Sequence, residues 1–457
     1  MAPRAMVIGL DCAPPELVLG RWLDRLPTIR SLTERGAFGV LRSCDPPITV
    51  PAWSVLASSR SPGALGVYGF RNRRDRSYAP LAFASSRSIR VPRVWEVLSA
   101  RGRDVLVLGV PPTYPVTPVN GALVSYFLAP DTARQYTHPP ALAQEIEAHL
   151  GEYALDVPGF RAGEAARFLA DLEGMTEKRF RVAERMLATR PWDMFFMVEI
   201  GTDRANHRLW RSVDPLHRRH EPAGPLADAL LAYYRSVDEK IGRLLRFADA
   251  DTTILVVSDH GAKRSDGGIR VNEWLRREGY LALKEEPAEG VPLTPGLVDW
   301  PRTTAWGEGG YYGRIFVNVR GREPDGTVAP GDFERVRGEL RAGLEGLCDA
   351  EGRPLRTVAH RPEDLYAVVN GVPPDLLVYF GDLRWRSLGD VGPGPLHVDA
   401  DALPDDAGHA HEGLYVLAGR GAAAPGPGRE RRLVDVAPTL LGVLDEPVPA
   451  AMEGATL

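Results

Sequence analysis

The chain is poor in cysteine and poorer still in lysine. Cys12, Cys44 and Cys348 are its three cysteines in 457 residues, and no two form a C-x-x-C pair. A disulfide framework is therefore not expected, and a reducing cytosol is the expected compartment. Of 55 basic residues only Lys178, Lys240, Lys263 and Lys284 are lysine. Such arginine usage follows more simply from a GC-rich bacterial genome than from phosphate recognition. There is no basic surplus: the net charge is −5, which argues against a general nucleic-acid or membrane binder. Long apolar runs are missing too. No stretch of 18 uncharged apolar residues occurs, so no membrane span is expected. The first apolar run, in MAPRAMVIGLDC, is short and broken by Asp11, and reads as a buried strand rather than a signal segment. These absences leave a soluble, cytoplasmic protein acting on a small molecule, with its oligomeric state unspecified.

What is present is a globular composition, 44% hydrophobic and 25% charged, enough for a large core. Short runs rich in Val, Ile and Leu recur at Ala5–Leu10, Asp104–Val110, Met194–Glu199, Thr253–Ser258, Arg314–Val319, Asp375–Tyr379 and Leu414–Ala418. Continuous apolar strands alternating with amphipathic segments predict a parallel sheet covered on both faces. Helices are expected over Glu164–Thr189, Pro225–Phe247 and Val434–Leu444, each with an apolar stripe. Residues 61–160 are rich in Pro, Arg and aromatics and suit loops over a pocket. Residues 266–400 break the rhythm with turn clusters and two short strands. They are expected to form a smaller α+β subdomain inserted between core segments 1–265 and 401–457.

Seven residues carry the chemistry: Asp11, Thr49, Asp203, His207, Asp259, His260 and His409. Asp and His offer O and N donors suited to zinc, with manganese next, and the set is large enough for two divalent cations. Two cations about 3.5–4 Å apart can clamp the attacking and leaving oxygens of a phosphoryl transfer. Asp11 closes the strand VIGLD, at the edge where α/β sheets bind ligands. Thr49 precedes Pro51, and Ala52–Ser59 reads as a helix. Its hydroxyl thus lies near a helix N-terminus that favours an anion, although it needs activation to act as a nucleophile. Asp203 and His207, four apart on a helix, share one face. Asp259 and His260 can reach one metal only where their strand turns, and Gly261 permits that exit. In AGHAHEGLYVLAG, His409 and His411 compete for one role.

The segments VIGLDCAPPELV, LPTIRSLTERGAFGVLRS, PPITVPAWSVLASSRSPGALGVYGFR, EIGTDRANHRLW, VVSDHGA, GHAHEGLYVLAG and VDVAPTLLGVL, in this order, resemble the alkaline phosphatase superfamily. Within it the chain is most similar to the type I phosphodiesterase/nucleotide pyrophosphatase-like branch, in a bacterial group of predicted phosphohydrolases or phosphomutases. The resemblance implies an alkaline phosphatase-like core. One cation would be held by Asp203, His207 and His409, the other by Asp11, Asp259 and His260, with Thr49 at this second metal as the nucleophile. An H-x-x-E-G pattern favours His409 over His411. The C/S-x-P-x-R motif of related sulfatases is missing after Thr49, which argues against sulfate esters. Nucleotide pyrophosphatases place an asparagine where Phe70 stands here, so either Arg71 or Asn72 is expected to take over its phosphate contact or the contact comes from backbone alone. The implied activity is hydrolysis of a phosphodiester or nucleotide pyrophosphate through a phosphothreonine. A phosphomonoesterase or phosphomutase is the alternative, and a non-catalytic binding protein a remote one.

Overall fold

A computed structural model describes residues 2–159, 161, 163–224, 226–422 and 424–457. Its centre is a twisted sheet. The strands run, in spatial order, Gly36–Arg42, Glu412–Gly419, Thr252–Val257, Arg4–Leu10, Met194–Glu199, Val105–Leu108, Gly121–Val124 and Thr137–His138. Arg4–Leu10 is parallel to both neighbours, in the register Val7 opposite Phe196 and Leu255.

Alternation along each strand feeds two cores, because successive side chains point to opposite faces. Met6, Ile8 and Leu10 pack with Ile29, Leu172 and Leu230, beneath the helices Pro27–Thr33, Ala165–Thr189 and Ala229–Leu244. Ala5 and Val7 pack with Val55, Trp95 and Leu440, beneath Thr49–Ser58, Val94–Ala100 and Val436–Val443. This is an α/β fold with a large, mostly parallel sheet between helical layers, as in the alkaline phosphatase-like fold.

Three of the expected parallel strands lie elsewhere or run the other way. Leu414–Ala418 is in the central sheet but antiparallel to Thr252–Val257. The runs at Arg314–Val319 and Asp375–Tyr379 supply Gly313–Val317 and Leu376–Tyr379, which pair antiparallel in a separate four-stranded sheet. That sheet has its own apolar cluster, in which Ile315 and Val378 meet Leu340 of the helix Phe333–Glu345. An apolar run records burial, not direction or sheet membership. The helix expected over Pro225–Phe247 spans Ala229–Leu244 with a further turn at Leu245–Phe247, and Pro225 lies outside the described residues. Among the described residues no helix is long and apolar enough to cross a membrane.

Candidate metal-assisted active site

The strands ending at Leu10, Val257 and Glu199 are neighbours, and their carboxyl ends open on one edge of the sheet. Asp11 follows the first, Asp259 the second, and the helix Gly201–Leu209, bearing Asp203 and His207, follows the third. Thr49 is the first residue of Thr49–Ser58, with extended Ile48 before it. A short antiparallel pair, Gly261–Arg264 with Ala407–Ala410, sets His409 opposite Ala262 and beside His260. Segments from nearly the whole chain thus converge, and all seven residues are buried.

Each carboxylate has one oxygen held and one left over. Trp53 Nε1 donates to Asp11 Oδ2 at 2.8 Å, Arg204 Nη1 to Asp203 Oδ2 at 2.6 Å, and the Cys12 amide to Asp259 Oδ1 at 3.3 Å. Asp11 Oδ1, Asp203 Oδ1 and Asp259 Oδ2 are buried without any hydrogen bond. The imidazoles complement them. His207 Nδ1 donates to Ala407 O at 2.8 Å, His409 Nδ1 to Pro47 O at 2.8 Å and His260 Nδ1 to Gly261 O at 3.1 Å. A carbonyl can only accept, so each Nδ1 carries a proton and each Nε2 faces the centre, where it can offer a lone pair to a cation. His207 Nε2 lies 3.2 Å from His409 Nε2 and 3.1 Å from Asp203 Oδ1. His260 Nε2 lies 3.5 Å from Asp11 Oδ1, 3.4 Å from Asp259 Oδ2 and 3.4 Å from Thr49 Oγ1. Ligands about 2.0–2.1 Å from one zinc ion stand roughly 3–4 Å apart, and these separations match.

Electrostatics favour added positive charge. Burial, then the charge on Asp203, raises the Asp11 carboxyl well above its usual range; burial and Asp11 do the same to Asp259. For Asp203 burial also acts upward, but His207 and Arg204 outweigh it and hold the group low. Burial pulls His260 down to about 4, and burial with the neighbouring His260 and His207 keeps His409 neutral. Neutral imidazoles and buried carboxylates without donors are what a divalent cation stabilises.

Two tight groups emerge: Asp203, His207 and His409 with the Cys12 thiol, and Asp11 and His260 with Asp203 again. Asp203 therefore stands between them, and Asp259 reaches the second through His260. Cys12, passed over as an isolated thiol, lies among the donors with φ 61°. His411 is turned elsewhere: its Nε2 lies 2.8 Å from Asp45 Oδ1. The holding residues gave weak signals. Trp53 is one helical turn beyond Thr49 and Arg204 adjoins Asp203, so both could have been sought. Tyr311 could not, since nothing in GEGGYYGR marks it. Its hydroxyl is 3.1 Å from His207 Nε2 and its ring stacks on His409 at 3.9 Å.

A cavity of about 530 Å³ opens from Thr49, Asp203 and His409. Its walls also include Phe70, Phe127, Tyr311 and Tyr312, with five arginines: Arg71, Arg161, Arg204, Arg314 and Arg386. Of the two residues expected to contact phosphate, Arg71 lines this space. Asn72 does not, because its amide accepts from Tyr68 N at 2.7 Å and donates to Gly69 O at 3.0 Å.

Buried Asp/His donors on the carboxyl edge of an α/β sheet, beside a cationic cavity, define a class of metal-assisted phosphoric ester hydrolases. The chain belongs to the type I phosphodiesterase / nucleotide pyrophosphatase family, whose model matches residues 5–408. That family is part of the alkaline phosphatase superfamily, and its members are metal-dependent hydrolases of phosphate esters such as nucleotides. No curated protein matches the chain.

Proposed function

We propose that the chain is a two-metal phosphoesterase that cleaves a phosphodiester or nucleotide pyrophosphate bond through a phosphothreonine at Thr49. The observation that carries this reading is the set of three buried carboxylate oxygens without donors, facing three imidazole Nε2 atoms beside the Thr49 hydroxyl. We assign Asp203, His207 and His409 to one cation and Asp11, Asp259 and His260 to the other, with zinc the first choice and manganese the second. Bound there, the cations would supply Lewis-acid activation and neutralise charge developing at phosphorus.

The chain's own residues perform the rest. Thr49 Oγ1 opens a ten-residue helix, whose first-turn amides and dipole favour the charge gathering on the transferred group. Its oxygen attacks phosphorus, the ester oxygen departs on the opposite side and takes up a proton from solvent, and the hydroxyl proton passes to solvent. Water then attacks the same phosphorus, releasing phosphate monoester and restoring the hydroxyl. Trp53 and Arg204 fix the carboxylates, and the arginine walls bind the anionic substrate. Residues 266–400, read as an inserted subdomain, contribute Tyr311, Tyr312, Arg314 and Arg386 to the cavity wall. Three unpaired cysteines fit a cytosolic enzyme.

Acid quenching of the protein with a nucleotide diester should leave phosphate on Thr49. Thr49→Ala should keep fold and metal while losing several orders of magnitude in turnover, and Thr49→Ser should keep part of it. Near-normal turnover by Thr49→Ala would refute the covalent route.

A further inference from the structure

The five arginines of the cavity are not equally neutralised. Arg204 meets Asp203 at 2.6 Å and Asp156 at 2.7 Å. Arg161 meets Asp405 at 2.6 Å, and Arg386 shares that same carboxylate. Arg314 and Arg71 differ. Among the described residues neither guanidinium has a carboxylate within ion-pair distance. Arg314 is only 7% exposed. Its Nη1 donates to Arg71 O at 2.6 Å, its Nη2 donates to Gly309 O at 2.9 Å, and its Nε is buried with no acceptor. Two carbonyls orient this cation without neutralising it. Arg71 reaches over the Phe83 ring at 5.9 Å, with its guanidinium otherwise open to the cavity mouth.

A buried guanidinium without a counter-charge is costly unless a ligand supplies one. The position of this pair says which part of a ligand that is. The backbone of Arg71 is clamped by Arg314, so the two cations form one corner of the cavity that Thr49 and His409 also line, and their contacts, with Gly309 O and the Phe83 ring, include neither Thr49 nor a metal donor. The scissile phosphate belongs beside Thr49, where the metal donors are. We infer that the Arg71–Arg314 corner binds a second anionic group of the substrate, so that the enzyme acts on phosphoesters bearing a phosphate or carboxylate away from the scissile bond. The inference rests on the proposed chemistry at Thr49 only for locating the scissile group. The planar fork of Arg314, fixed at both terminal nitrogens, suits an oxyanion, which a lysine there would hold only as a point charge.

Binding of phosphate monoesters, the product class of the proposed reaction, separates this inference from the catalytic reading. Alkyl monophosphates of three to six carbons and the matching α,ω-alkanediol bisphosphates are titrated calorimetrically into the metal-loaded protein. At least one bisphosphate should bind tenfold or more tighter than its monophosphate. Arg71→Gln and Arg314→Gln should each bring that ratio close to one, while Arg335→Gln, which removes equal charge from an exposed helix, should leave it alone. Arg71 is exposed, so Arg71→Gln reads the corner even where Arg314→Gln fails to fold. A ratio near one in the wild type at every chain length, or a ratio kept by Arg71→Gln, overturns the inference. Absence of phosphate on Thr49 would instead overturn the catalytic reading and leave the binding result standing.

Discussion

Replacing Arg179 by methionine should destabilise the fold and loosen the active site together. Arg179 and Glu199 are both fully buried, with Arg179 Nη1 3.2 and 3.3 Å from the two carboxylate oxygens. Glu199 ends the central strand beside Asp11, and its Oε1 accepts the Gly201 amide at 2.7 Å and the Thr176 hydroxyl at 3.3 Å. Gly201 begins the helix that carries Asp203 and His207. Without Arg179 a carboxylate is left in the core with only two neutral donors. Breaking one side of a buried pair costs about 3–5 kcal/mol, whereas removing both charges is close to neutral. Urea unfolding should therefore show a loss of that size for Arg179→Met. The double variant Arg179→Met/Glu199→Gln should recover more than half of it, since glutamine still accepts from Gly201 and no stranded charge remains. Metal content should fall in the single variant and return in the double one. A single variant within about 0.5 kcal/mol of wild type, the range of an ordinary surface change, would refute the reasoning.

His409→Ala should lose bound metal and at least a hundredfold in turnover, measured by elemental analysis and rate. His411→Ala should keep its metal and instead lose about 1–3 kcal/mol of stability, because Asp45 loses the imidazole at 2.8 Å and keeps the Tyr379 hydroxyl at 3.1 Å; the reverse ranking would exchange their roles. Gly9→Ala would place a Cβ 2.4 Å from Trp53 Cη2, so the indole that holds Asp11 must move. A loss of about 1–3 kcal/mol together with weaker metal binding is expected, and unchanged metal affinity would contradict that link. Chelation should abolish activity and lower the melting temperature, both restored by zinc or manganese, since a bound ion stabilises only the folded state; activity in a fully demetallated sample would count against the two-metal reading.

Much of this arrangement was legible in the sequence because burial on both faces leaves continuous apolar runs, and VIGLD, MFFMVE and TTILVVSDH each end in a polar residue that the core would not otherwise tolerate. The sheet's edge was harder to read. Gly36–Arg42 carries glycines at positions 36 and 39 and lacks an apolar run, yet it pairs along its length with Glu412–Gly419. The direction of Leu414–Ala418 depends on the 261–264/407–410 pair that turns the chain back, a long-range contact with no local signature. Donor residues stood out through their chemistry, but the groups that hold them did not. Arg204 beside Asp203 reads as an ordinary surface pair, and Tyr311 reaches His409 only through the packing of a second sheet. Asn72, which the resemblance offered beside Arg71 as a phosphate contact, bonds instead within its own turn.

The central claim is that Thr49 carries the phosphoryl group, and the stereochemical course at phosphorus tests it most directly. A diester made chiral by oxygen isotopes or by a sulfur substituent is hydrolysed in labelled water, and the configuration of the product is read by phosphorus NMR. Attack by Thr49 followed by attack of water inverts the centre twice, so net retention is predicted. Net inversion would mean that water attacks the substrate in one step and that Thr49 serves only to begin its helix.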